Sequence, residues 1–82
     1  MPSEPYIGEM MLYPGDRAPQ GWAAAKGQIL SISQNTTLFS IIGASFGGDG
    51  KTNFALPDMR DAAPQTKGLG WYIALQGIYP NF

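Results

Sequence analysis

Tyr6-Ile7-Gly8-Glu9-Met10-Met11-Leu12-Tyr13 is the stretch on which the fold turns. It is dense in β-forming residues and is stopped by Pro14-Gly15, because proline cannot donate to a strand ladder and glycine accepts turn backbone. A first strand over 6–13 follows. Its alternation is imperfect: Met10, Met11 and Leu12 run together, so both faces of this strand need cover. In a chain of only 82 residues, a second subunit can supply part of that cover.

Working outward, Asp16 to Gly21 (DRAPQG) reads as a loop, and Trp22 to Ile32 (WAAAKGQILSI) as a hairpin turning at Lys26-Gly27. The helical signal lies in Ser33 to Gly43 (SQNTTLFSIIG). Ser33 or Asn35 can cap its start, Leu38, Ile41 and Ile42 share a face, and Gly43 suits its end. This predicts one helix of about two turns near 35–43, too short to hold itself in water without lying on a sheet or on apolar loops. Ser45 to Asn53 (SFGGDGKTN) is a glycine loop, and Phe54-Ala55-Leu56 runs into Pro57-Asp58, a natural turn start. Residues 62–70 are polar and turn-rich. Trp71 to Leu75 and Ile78-Tyr79 form an apolar C-terminal segment ending at Phe82. No repeat or separate linker divides the chain. The expectation is a single domain over 1–82: a block at 5–60, a short connector at 61–71 and a C-terminal strand at 72–82. The fold class is mostly β (α+β), with short strands, one short helix and glycine-rich loops.

So small a domain usually gains stability from disulfides, a metal or an oligomer, and this chain has no cysteine and no histidine. The oligomer is what remains. The same absences remove thiol nucleophiles, Ser-His-Asp arrangements and most structural zinc sets, so neither catalysis nor a cofactor is expected. The 11 glycines and 7 prolines read as turns between short strands, because 44% hydrophobic residues supply enough apolar surface to bury. A net charge of -1 gives no basic field for nucleic acid or an anionic membrane. Met1 to Pro5 lacks the basic start and apolar run of a signal peptide, and no apolar stretch approaches the ~20 residues of a membrane span.

Ser45 to Thr52 imitates a phosphate-binding loop, with Ser45 where the first glycine belongs. Pro57 and Pro64 and the missing helical period after Asn53 reject that reading, because such a loop works by opening a helix. Of the acids, only Asp58 and Asp61 come together, around Arg60, where a local salt bridge explains them better than a glycosidic pair. Asn35-Thr36-Thr37 fits a glycosylation sequon, yet Asn35 is better used as a helix cap. A ligand loop using Trp22, Gly47, Gly48, Asp49 and Lys51 is one candidate site, and the aromatics Trp22, Trp71, Tyr72, Tyr79 and Phe82 could stack sugars. The other is an assembly interface of Tyr6, Ile7, Met10, Leu12, Trp71, Tyr72, Ile73, Leu75, Ile78, Tyr79 and Phe82. Its reason is solubility: so apolar a tail must close its own sheet or add to a neighbour's edge.

Seven segments occur in the order of one known family: Pro5-Tyr6-Ile7-Gly8-Glu9, Pro19-Gln20-Gly21-Trp22, Gly27-Gln28-Ile29-Leu30, Ile32-Ser33-Gln34-Asn35, Leu38-Phe39-Ser40, Gly47-Gly48-Asp49-Gly50 and Phe54-Ala55-Leu56-Pro57-Asp58-Met59-Arg60. In these the chain resembles the phage tail-collar domain shared by tail fibres and the microcystin-dependent proteins. Tyr72 to Pro80 looks like the family's C-terminal end. The chain departs from the family at Ala25-Lys26, where Cys-Asp is usual, and at Asp61-Ala62, where glycine and a basic residue are. A long segment usual between the two blocks is reduced to about ten residues. The resemblance implies a β-rich, trimeric structural module; receptor-binding residues do not carry over. The expected function is a structural subunit that self-assembles, as a homotrimer or stacked fibre, into an extracellular fibre or virion tail. The alternative is an adhesin module at a fibre tip that binds a cell-surface receptor or glycan.

Overall fold

The computed structural model describes residues 4–15, 17–61 and 69–80. They form five short strands and one helix: β1 Met10–Pro14, β2 Trp22–Ala24, β3 Ile29–Ser31, α1 Thr36–Ile42, β4 Asn53–Ala55 and β5 Leu69–Ala74. The fold is thus mostly β with one short helix, as the sequence predicts. β5 lies between β1 and β2 in an antiparallel three-stranded sheet, and β3 pairs antiparallel with β4 in a second. One core joins both sheets to the helix, with Ile7, Leu38, Phe54, Leu56 and Ile73 buried together.

The strand predicted over 6–13 begins later, at Met10, because Tyr6 to Glu9 is a turn. The Glu9 N–H donates to the Tyr6 carbonyl at 3.0 Å, and Gly8 holds the third turn position at φ 89°. Gly8 and Glu9 then both face Ala74: the Gly8 N–H donates to its carbonyl and its N–H donates to the Glu9 carbonyl, each at 2.9 Å. This glycine bulge bends the chain, so Tyr6 leaves the line of β1 and bridges Ile78 in parallel instead.

The hairpin predicted over 22–32 does not form; β2 and β3 belong to different sheets. A two-residue hairpin turn of the favoured kind needs positive φ at its first central residue, and the type I′ form needs it at both. Gly27 has φ 76°, but no described non-glycine residue has positive φ, Lys26 included. The segment instead crosses between sheets. Ala25 donates its N–H to the Trp71 carbonyl at 3.0 Å, while Gly27 donates to the Pro57 carbonyl at 3.2 Å. The Gln28 side chain secures the corner, donating from Nε2 to the Ala24 carbonyl at 2.7 Å and accepting the Lys26 N–H at 3.1 Å.

Helix α1 stands where the spacing predicts it, with Asn35 and Gly43 flanking it. Asn35 makes no side-chain cap; its Nδ2 donates to the Ser31 carbonyl at 2.9 Å, tying the helix start to β3. At the far end the Gly43 N–H closes on the Phe39 carbonyl at 2.7 Å. Leu38 is buried in the core, and Phe39, Ile41 and Ile42 pack against it half-buried.

The apolar C-terminal segment lies inside the sheet. Its strand runs from Leu69 to Ala74, not over 72–82, and it is paired on both sides. It therefore closes its own sheet. Beyond it, Ile78 donates its N–H to the Pro5 carbonyl and accepts the Ile7 N–H, each at 2.9 Å. Of the predicted connector, 62–68 lies outside the described residues, as does Phe82, and Leu69 to Trp71 already belong to β5.

Candidate functional site

Strand register decides which predicted residues can touch anything outside the chain. Trp22 pairs with Ala74 and Leu12 with Trp71, and neighbours along a strand alternate faces. Trp22 and Trp71 therefore lie on opposite faces of the sheet and cannot share one sugar platform. Ile73 (1% exposed) and Ile7 are core, and Met10 and Leu75 pack against that core. Tyr72 (4% exposed) sets its ring edge-on to Tyr13, centroids 5.8 Å apart, and donates its hydroxyl to the Gly15 carbonyl at 3.1 Å. Ile7, Tyr72 and Ile73 thus hold the protomer together.

The remaining predicted interface residues reach solvent at two places. Leu12 is exposed at one end of the sheet on the same face as Leu69, and Tyr13 is exposed there on the opposite face; the sequence reading missed both Tyr13 and Leu69. Trp71, half-buried, pairs with Leu12; its Nε1 is buried and donates to nothing among the described residues. Tyr6, Ile78 and Tyr79 form the other cluster, where the Tyr6 and Ile78 backbones bridge and the Tyr79 hydroxyl lies 3.2 Å from the Ser40 hydroxyl on α1.

The glycine loop is packed down onto β4. The Ala55 N–H donates to the Gly47 carbonyl at 3.0 Å, and a side chain at Gly48 would overlap the Phe54 backbone. Asp49 is consumed by its own turn: Oδ1 accepts the N–H groups of Lys51, Thr52 and Asn53 at 2.8, 2.9 and 3.1 Å, and Oδ2 accepts the Thr52 hydroxyl at 2.9 Å. These donors hold the Asp49 carboxyl far below its ordinary value, the Lys51 amide first. The Asp58 carboxyl is pulled to about 2, chiefly by its hydrogen bonds from Arg60, at 2.9 Å from Nε and 2.6 Å from an Nη. This is the local salt bridge the sequence suggests.

Both carboxyls are depressed on folding, so their contribution is fully present above the unfolded value near 3.8 and is lost as pH falls through the folded value. The melting temperature should hold steady above about pH 5 and drop as acid is added toward about pH 2. Asp49→Ala should melt lower at neutral pH and show a shallower acid drop. A variant with an unchanged acid profile would show that the turn does not contribute.

Among the described residues, no group of three Asp or Glu side chains gathers to hold a metal, and no helix is long and apolar enough to cross a membrane. Among the clefts on the surface of the described residues are two that the predicted tryptophans line. One, of about 170 Å³, is lined by Lys26, Met59, Arg60, Leu69 and Trp71 among others. The second, of about 280 Å³, lies where Gln20 to Trp22, Gln76-Gly77 and Glu4-Pro5 meet. Trp22 lines this second cleft together with Gln20 and Gln76, whereas Gly47, Gly48, Asp49 and Lys51 are absent from it. No linear motif could reveal it, because its walls come from three separate segments.

In comparison with known families, the model of the Phage Tail Collar Domain matches residues 8–64. The match runs from the bulge glycine past the Asp58–Arg60 pair, covering well over half of the 82-residue chain. No curated protein matches the chain.

Proposed function

Because the chain belongs to the phage tail collar domain family, we propose that it is a structural subunit of a phage tail fibre that assembles with copies of itself and carries out no catalysis. A collar domain is a structural part of the virion tail. The finer reading, a homotrimer or stack of copies in an extracellular fibre, is supported by β1. Among the described residues this five-residue strand is an edge and carries no charge, with Leu12 exposed on one face near Leu69 and Tyr13 exposed on the other. Monomeric proteins usually blunt such an edge with charge, proline, bulges or cover; here the Gly8-Glu9 bulge and Pro14 stand at the two ends of β1, and Met11 to Tyr13 between them carry no charge. The opposite edge, β2, has only three residues and is the weaker template. Without cysteine or histidine, burial between copies is also the remaining way for so small a core to gain stability.

Mass in solution tests this. The chain should sediment as a trimer or longer stack, and Leu12→Lys, which puts a charge on the open edge, should shift it to monomer with an unchanged far-ultraviolet spectrum. Monomeric wild-type protein would overturn assembly, and an intact oligomer in the variant would overturn the β1 route. Truncation before Tyr72 is no substitute, since it removes the buried Ile73 and Ala74 and unfolds the protomer.

A further inference from the structure

We infer that the cleft between the Gln20–Trp22 turn and the Gln76–Gly77 turn is a binding site for a neutral hexose unit of a glycan. The inference does not depend on assembly. Its three walls are tied to the fold by backbone hydrogen bonds: Trp22 N–H to the Pro19 carbonyl at 3.0 Å, Leu75 N–H to the Gly21 carbonyl at 2.8 Å, and Ile78 N–H to the Pro5 carbonyl at 2.9 Å. The lining is therefore held in place before any ligand arrives, which lowers the ordering cost of binding. Gly21, at φ 85°, holds a turn backbone that a side chain would strain, while a Cβ there would meet Gln76 Oε1 at an ordinary 3.6 Å.

The chemistry of the lining selects the ligand. Trp22 is half-buried in the cleft wall, and an indole offers an apolar surface for the C–H groups of a sugar ring. Gln20 and Gln76 are exposed, and each amide can donate and accept, which suits hydroxyl groups that do both. Glu4 adds an acceptor. Among the described residues no lysine or arginine lines the cleft, so an acidic or phosphorylated sugar would meet a carboxylate without a cation to balance it. A single carboxylate cannot run the paired chemistry of glycosidic cleavage, so the site holds its ligand without cutting it. A peptide strand is disfavoured because the Trp22, Leu75 and Ile78 amides it would seek are already spent inside the fold. At about 280 Å³ the cleft falls just below the ~300 Å³ at which drug-sized pockets begin, which fits one ring and not an extended chain.

The test is a titration of isotope-labelled protein with glucose, galactose and N-acetylglucosamine, followed by NMR. Saturable shifts of millimolar midpoint are expected at the Trp22 indole N–H and the Gln20 and Gln76 side-chain amides for at least one sugar. Gln76→Ala should leave the rest of the spectrum folded and weaken binding about tenfold, the loss of one well-placed hydrogen-bonding group. Sialic acid and a neutral Gly-Ser peptide should leave these signals in place. Silence from all three neutral sugars, equal binding by Gln76→Ala, or equal shifts from sialic acid or the peptide would each overturn the assignment.

Discussion

Phe54→Ala is expected to destabilise the protein by about 3–5 kcal/mol, the range for deleting a large buried aromatic ring and leaving its cavity behind. Phe54 is 0% exposed and is shared between the layers. Its ring lies 5.3 Å from that of Phe39 on α1, its backbone pairs with Leu30 in the second sheet, and it belongs to the same core as Leu38, Leu56 and Ile73. Small domains hold only about 5–15 kcal/mol in total, so this loss should leave a large unfolded fraction at room temperature. The urea midpoint reads it directly. A loss below about 1 kcal/mol, typical of a surface site, would show that the ring is not the centre of the core.

Gly48→Ala should be nearly as damaging through a different cause. Gly48 lies at φ 89°, and a Cβ built there overlaps Phe54 Cα and sits 2.9 Å from Phe54 N, both backbone atoms that no rotamer change can move. The loop must lift off β4, breaking the bond from the Ala55 N–H to the Gly47 carbonyl. Gly50→Ala is the control. At φ 72° it also carries backbone strain, but its Cβ would meet only the Ala44 side chain at an ordinary 3.4 Å. Strain alone predicts about 1–2 kcal/mol at Gly50, and Gly48 should exceed it by at least as much again. Equal losses at the two glycines would show that the close approach to Phe54 contributes nothing. The Gly-Gly-Asp-Gly run is in these terms a packing device, which is why its likeness to a phosphate loop leads nowhere.

Local signals in the chain were readable because their causes are local. Pro14-Gly15 ends β1, the Leu38, Ile41 and Ile42 spacing gives α1, and Asp58 pairs with Arg60 two residues away. Where the cause is distant, the reading fails. Gly8 looked like an ordinary strand residue until Ala74 came to face both it and Glu9. Lys26-Gly27 looked like a hairpin turn, yet Pro57 and Trp71 draw the two sides of that segment into different sheets. The cleft between the Gln20–Trp22 and Gln76–Gly77 turns has no linear trace, since Gln20 and Gln76 are far apart along the chain and line one cleft only in the folded state.

By itself, the sequence determined the mostly β class, the place of the helix, the collar resemblance and the need to cover an apolar N-terminal strand and C-terminal segment. Only the tertiary structure decided which apolar residues do the covering and which remain outside. Hydrophobic attraction has no direction, so Tyr72 and Ile73 carried the same signal as Ile78 and Tyr79. The insertion of β5 between β1 and β2 separates them. It buries the first pair inside the protomer, leaves the second pair exposed and, among the described residues, leaves the outer edge of β1 without a partner strand.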